Sequence, residues 1–148
     1  MSEAAAAPYL HRYQVAFGDT DAAGIAYTGR FPHFALDAIE GWFRDRLGTD
    51  WFRLNRDRAV GTPFVHLSLD MRSSLTPRDV LETTVLLARA GRSSLEFAVT
   101  GRALPDGRVS FTGRFVCVFV AGEPARAVAI PQDFRAALGR EMLLAERG

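Results

Sequence analysis

FPHFALDAIEGWFRDRLG, residues 31–48, constrains how the rest of the chain must be arranged. Phe34, Leu36, Ala38, Ile39, Trp42, Phe43 and Leu47 recur at helical spacing and form a broad apolar stripe, while Asp37, Glu40, Arg44 and Asp45 look outward. Pro32 suits the first turn, where a missing N–H costs nothing, and Gly48 suits the left-handed position just past the end. A helix this long and apolar has to be wrapped by something.

The flanking sequence supplies the wrapping. Upstream, YLHRYQVAFG puts Tyr9, His11, Tyr13, Val15 and Phe17 on one side, as a strand does. Downstream, DWFRLNRDR gives a weak signal for a helical turn, and strands then follow in series. In FVHLSLDMR, Val65, Leu67, Leu69 and Met71 take the face expected to cover the helix, with Phe64, His66, Ser68 and Asp70 on the other. VLETTVLLA and LEFAVTG are joined through AGRSS, and Asp106-Gly107 marks the next hairpin. VSFTGRFVCVFVA is a fourth strand in this series; its second half is apolar on both faces and hence predicted to be covered twice. Pro131 opens a last helix, PQDFRAALGREMLLA. The order predicts an α+β fold: an antiparallel sheet of about five strands curled around one long helix, plus a C-terminal helix.

Composition bounds the function. At 148 residues the chain fits one domain, expected over 9–148, with 1–8 as a tail. A net charge of +1 with scattered Arg gives no footprint for nucleic acid. No apolar run nears the roughly 20 residues of a membrane helix. MSEAAAAP lacks the basic and apolar regions of a signal peptide. The single cysteine, Cys117, sits mid-strand among valines and phenylalanines, which suits an inert core thiol in a reducing cytoplasm. Three histidines without ligand spacing predict no metal site, and no Gly-x-Ser-x-Gly signals a serine hydrolase.

Chemistry concentrates in FGDTDAAGIAYTGRF, residues 17–31. Two carboxylates, Asp19 and Asp21, precede a run of tiny residues that lets a ligand approach the backbone, and a helix start follows with free N–H groups and a positive dipole end. Spacing alone leaves Asp21 open between a turn former and a reactive carboxylate.

FGDTDAAGI, then GTPFVH with LTPRDVLE, the GRSS hairpin and AIPQDF, stand in the order found in the 4-hydroxybenzoyl-CoA thioesterase family of hot-dog hydrolases, which this sequence resembles over nearly its whole length. YTGRF departs from the family's usual Asn-containing neighbourhood, and the spacing from Gly24 to Asp37 is one residue longer. The resemblance implies an acyl-CoA thioesterase with Asp21 as catalytic carboxylate, nucleophile or general base, and a backbone N–H in the stretch at Tyr27 and Thr28 as oxyanion donor. It further implies active sites between subunits of a homo-oligomer, a dimer or tetramer. Coenzyme A enters as part of the substrate, with no other cofactor, and its phosphates are met around Arg92, Ser93 and Ser94. Gly24, Thr62, Phe64 and His66 join the expected substrate contacts, and an aromatic acyl group of benzoyl or hydroxybenzoyl type is the expected substrate.

Asp19 is expected to hold the loop through hydrogen bonds, without chemistry of its own. His66 divides between a pocket group and a hydrogen-bonded strand histidine; His33 and His11 read as exposed. Three rival functions compete with this one. A thioesterase for short or medium aliphatic acyl-CoA fits the same motif. A non-catalytic acyl-CoA binder would be favoured by Asn or Ala at position 21, and the chain has Asp. A hot-dog dehydratase needs a His-containing motif on the central helix, which His33 beside Pro32 does not reproduce.

Overall fold

The computed structural model describes residues 7–147, so most of the expected tail, residues 1–6, lies outside the described residues. Strand β1 (Tyr9–Gln14) leads to the central helix α1 (Phe31–Trp42), which runs on through a π-helical turn, Phe43–Leu47, and ends at Gly48 with φ of 71°. Only glycine adopts that conformation cheaply, which is why the helix stops there. A short helix α2 (Trp51–Arg58) follows, started by Asp50, whose side chain accepts the Arg53 N–H. Then come β2 (Phe64–Met71), β3 (Val80–Ala90), β4 (Ser94–Leu104) and β5 (Arg108–Val118).

These strands form one antiparallel sheet in the order β1-β3-β4-β5-β2. The sheet curls around α1 in the hot-dog layout that the helix demanded. Ala38, Ile39, Trp42 and Phe43 are fully buried against Val85, Leu87, Phe97 and Phe115 of the sheet. Strand β1 crosses α1 so closely that a Cβ on Gly41 would overlap the Tyr9 hydroxyl. His11 shares this contact and is half-buried, not the surface residue expected; burial pushes its pKa below the usual value, against Asp37, which pulls it up. Helix α3 (Arg135–Arg147) packs on β3, and no described helix is long and apolar enough to cross a membrane.

Three boundaries differ from the sequence reading. The first strand ends at Gln14, because the chain turns into a 3₁₀ turn at Phe17–Asp19 and leaves Phe17 86% exposed. The long strand expected to reach Ala121 stops at Val118, and Val120–Ala121 pairs instead with Arg126–Ala127 as a small ribbon, β6 and β7. The last helix begins at Arg135, after a 3₁₀ turn at Gln132–Phe134.

The apolar surface left over is also elsewhere than expected. In FVCVFV only Val116 and Val118 face away from the helix, and both are half-buried. Exposed apolar side chains gather instead on β2, where Val65, Leu67 and Met71 are 63%, 48% and 48% accessible. Strand β2 is the open edge of the sheet.

Candidate active site

The connection from β1 to α1 folds into two short antiparallel arms. Thr20 bridges Ala26, the Asp21 N–H donates to Ile25 O at 3.0 Å, and the Tyr27 N–H donates to Asp19 O at 2.8 Å. The tip turns at Gly24, whose φ of 79° explains a glycine there better than substrate approach does, since open space surrounds its would-be Cβ. The Ala26 N–H donates to Leu75 O at 2.8 Å and ties the second arm to the end of the sheet where β2 finishes.

Asp21 stands exposed at this tip. Its Oδ1 accepts the Ala23 N–H at 2.8 Å, so the turn-forming geometry is present, while Oδ2 has no hydrogen-bond partner among the described residues. One oxygen orients the carboxylate and the other is open to a ligand.

Asp19, two residues earlier, is only 2% exposed. Its Oδ2 accepts from the Tyr13 hydroxyl at 2.7 Å and the Ala16 N–H at 2.8 Å; its Oδ1 accepts from Arg30 Nε at 3.0 Å, and Arg30 Nη2 completes the ion pair at 2.9 Å. Burial pushes this carboxyl upward, but the Ala16, Tyr13 and Arg30 bonds, with the guanidinium charge, hold it below the ordinary carboxylate range. Asp19 does hold the loop, as its position suggested. Its partners Tyr13 and Arg30 carried no sequence signal, because nothing in their spacing shows that three elements meet there.

The helix start corrects one expectation. The Tyr27 N–H is committed to Asp19, so it is not available as an oxyanion donor. Thr28 opens a 3₁₀ turn, Thr28–Arg30, that runs directly into α1, and its N–H makes no hydrogen bond among the described residues. The exposed Tyr27 ring lies over Gly29, where a Cβ would overlap it. Beside Thr28 opens a cavity of about 280 Å³, lined by Ile25, Phe31 and, from the end of β2, Met71 and Arg72.

The remaining expected contacts lie at the other end of β2. Thr62 and Phe64 line a cleft of about 390 Å³ with Trp51, Asn55 and Val120. Phe64 is wedged edge-on between Trp51 at 5.5 Å and Phe115 at 6.2 Å. Arg92, Ser93 and Ser94 are at this end too, because the Phe119 N–H donates to Ser93 O and the Val118 N–H donates to Pro63 O. Their hairpin is fixed from below by Arg135, whose Nη2 donates to Gly91 O at 3.0 Å and Arg92 O at 3.1 Å. Strand β2 separates the two groups by about 20 Å, at ~3.3 Å per residue. One chain therefore does not bring Asp21 and Thr28 together with Thr62, Phe64 and Arg92.

His66 does not share a face with Phe64. A bulge falls between them: Phe64 pairs with Cys117, whose side chain is fully buried, whereas His66 pairs with Val116 on the outer face. There it is exposed, near Glu96, whose carboxylate binds Arg114 at 2.7 Å. Strict alternation fails at this one residue, and it moves His66 out of the cleft. His33 is exposed, as expected. Burial pushes the Cys117 thiol up to about 12, so it is no nucleophile. Among the described residues, no group of three His, Cys, Asp or Glu could hold a metal ion.

With this geometry in place, comparison with known proteins is informative. A family model described as the thioesterase-like superfamily matches residues 15–138. A 1,4-dihydroxy-2-naphthoyl-CoA hydrolase of Picosynechococcus sp. is 29% identical over 102 residues, 69% of this chain and 68% of that protein. The crystal structure of a thioesterase superfamily protein from Jannaschia sp. shares 38% identity at a TM-score of 0.84, covering 91% of this chain and 93% of that one. The 4-hydroxybenzoyl CoA thioesterase of Pseudomonas sp. is 22% identical at a TM-score of 0.78, covering 86% and 96%, a likeness of fold.

Proposed function

Because the chain belongs to the thioesterase-like superfamily, a family of thioester hydrolases, we propose that it hydrolyses an aromatic acyl-CoA to the free carboxylate and CoA. The observation that carries this reading is the β1–α1 connection. An exposed carboxylate with one free oxygen stands on it, and a free amide opens the helix it leads into.

In the chemistry proposed, the thioester carbonyl oxygen lies against the Thr28 N–H, with the dipole of the helix start behind it. Asp21 either removes a proton from water as it adds to the carbonyl carbon, or adds itself to give a mixed anhydride that water then opens. On both routes the carbonyl electron pair moves onto oxygen and returns as the C–S bond breaks. The CoA thiolate leaves and is protonated, and the acid is released as its carboxylate. A donor at the oxyanion is typically worth about 10²–10³ in kcat.

The site we propose is built by two copies. Pairing of one β2 edge with that of a second copy about a two-fold axis is antiparallel, so the Met71 end of one meets the Phe64 end of the other. The cavity beside Thr28 of one protomer, with Asp21 on the loop leading to it, would then adjoin Thr62 and Phe64 of the partner subunit. The exposed Val65, Leu67 and Met71 support that pairing, since an apolar open edge invites another strand. The Trp51 and Phe64 walls suit an aryl ring, as do the acyl groups in the names of the naphthoyl and hydroxybenzoyl relatives. Arg92, Ser93 and Ser94 are assigned to the CoA phosphates.

The test is thiol release over a panel of aryl- and alkyl-CoA esters. Preference for aryl esters by at least tenfold in kcat/KM is expected. Equal or better turnover of aliphatic esters would overturn the aromatic assignment, and no turnover of any ester would overturn the activity.

A further inference from the structure

Asp19 is more than a loop anchor: we infer that, with Arg30, it is a positioning residue that sets the aim of the Thr28 amide toward the reacting carbonyl. The inference rests on the thioesterase reading and deepens it.

The geometry is specific to that turn. Thr28–Arg30 is a single 3₁₀ turn between the second arm of the loop and α1, with Tyr27 before it and Phe31 after it. Asp19 holds this turn at both ends. Its backbone oxygen accepts the N–H of Tyr27, the residue just before Thr28, and its carboxylate accepts the Nε–H of Arg30, the turn's last residue, and pairs with the same guanidinium's Nη2 at 2.9 Å. The amide that opens the turn between these clamps, Thr28, makes no hydrogen bond among the described residues.

The clamp is itself held rigidly. Tyr13 approaches from β1 and the Ala16 N–H from the strand exit, so three donors and the Arg30 guanidinium charge hold the carboxylate on both oxygens. Such a buried charge costs stability unless it is fully paired, as it is here. Anchoring a surface loop would need less, since the Tyr13 and Ala16 bonds already hold the first arm and the Leu75 anchor holds the second. The bonds to Arg30 act on the oxyanion side alone. An amide moved by even a fraction of an ångström loses much of its hold on a developing charge, while a neutral ground-state carbonyl notices little.

The test uses the full chain with its preferred acyl-CoA. Arg30→Gln and Arg30→Lys are compared with Tyr13→Phe, and each is checked for the native circular-dichroism spectrum at the assay temperature. Arg30→Gln is expected to lower kcat by about tenfold or more with KM held within about threefold, the mark of an interaction made in the transition state. Arg30→Lys recovers part of that loss. A second readout does not need turnover: with Asp21→Asn as background, the carbonyl stretch of bound acyl-CoA, read by difference infrared spectroscopy, moves back toward its solution frequency when Arg30→Gln is added. Wild-type kcat and an unmoved carbonyl band in Arg30→Gln, in a wild-type protein that does hydrolyse acyl-CoA, would overturn the positioning role alone. A wild-type protein that hydrolyses no acyl-CoA would overturn the thioesterase reading and this inference with it.

Discussion

Trp42, the last residue of α1, donates its indole N–H to Glu141 of the last helix at 3.0 Å, and the contact is buried. The other carboxylate oxygen lies 3.6 Å from Arg46 Nη1, so an acid only 5% exposed is paired on both sides. Helix α3 is thus docked onto α1 by a polar bond placed among apolar contacts. Removing the acid alone leaves a buried donor unpaired, which costs about 1–3 kcal/mol. Glu141→Ala is expected to lower the unfolding free energy by that much, read from the shift of the denaturant midpoint, and Glu141→Gln, which keeps an acceptor, by less. Equal midpoints for Glu141→Ala and wild type at matched protein concentration would refute the latch.

Asp21→Asn and Asp21→Ala are expected to keep the fold, because the residue is exposed and its one bond, to the Ala23 N–H, is at the loop tip. Neither variant can attack a carbonyl or deprotonate water. Loss of a positioned general base typically costs about 10²–10⁴-fold in rate. Steady-state kcat on the preferred ester measures this, and near-wild-type turnover by Asp21→Ala would remove Asp21 from the mechanism.

His66 and Phe64 make a matched pair of controls. Periodicity put them on one face, and the bulge puts them on opposite ones. Phe64→Leu, which thins one wall of the aromatic cleft, is expected to reduce kcat/KM for aryl esters by several-fold. His66→Ala is expected to leave it unchanged on every ester. A loss with His66→Ala that depended on ring substituents would mean that the outer face takes part in recognition.

These two residues also show where the sequence stopped being legible. The central helix was readable end to end, since an apolar stripe and a terminal Gly48 are local signals with one physical solution. That an antiparallel sheet curls around it followed from that stripe. A one-residue bulge at Val65 has no composition of its own, so the side assigned to Phe64 was wrong while Leu67, Leu69 and Met71 held register with the core strand β5. The Asp19 cluster was half legible. A carboxylate in a tight loop announces a hydrogen-bonding role, yet Arg30 and Tyr13 reach it only because β1 and α1 meet in space. Edge position was invisible too, because β2 and β3 read alike as strands until their neighbours are known.

Acid sensitivity should report on Asp19. Its folded-state pKa lies below its unfolded value near 4, so the ionised carboxylate adds stability above that value. The contribution is lost as pH falls through the folded pKa. Asp19→Asn is therefore expected to unfold more easily than wild type at neutral pH, with the gap narrowing once the pH falls below the unfolded value near 4. Denaturation midpoints across that range measure it. A gap of constant size down to the lowest pH would show that the charge on Asp19 is not what stabilises the loop.

A site shared between protomers makes a demand that a site within one chain does not. If Asp21 and Thr28 of one copy work with the Thr62 and Phe64 cleft of the partner subunit, two differently crippled proteins can repair each other. Asp21→Asn removes the carboxylate. Asn55→Trp, at an exposed position lining the cleft, fills it without disturbing the buried core. Each homodimer carries two dead sites. A heterodimer carries one doubly altered site and one intact site, since the two lesions fall together on one side of the two-fold axis. Random exchange makes half the dimers mixed, so about a quarter of wild-type activity is expected to return. Exchange is followed by native mass spectrometry, and activity by thiol release in the same sample. Formation of mixed dimers without recovered activity would put the whole site within one chain, and a protein that stays monomeric at micromolar concentration would remove the shared site altogether.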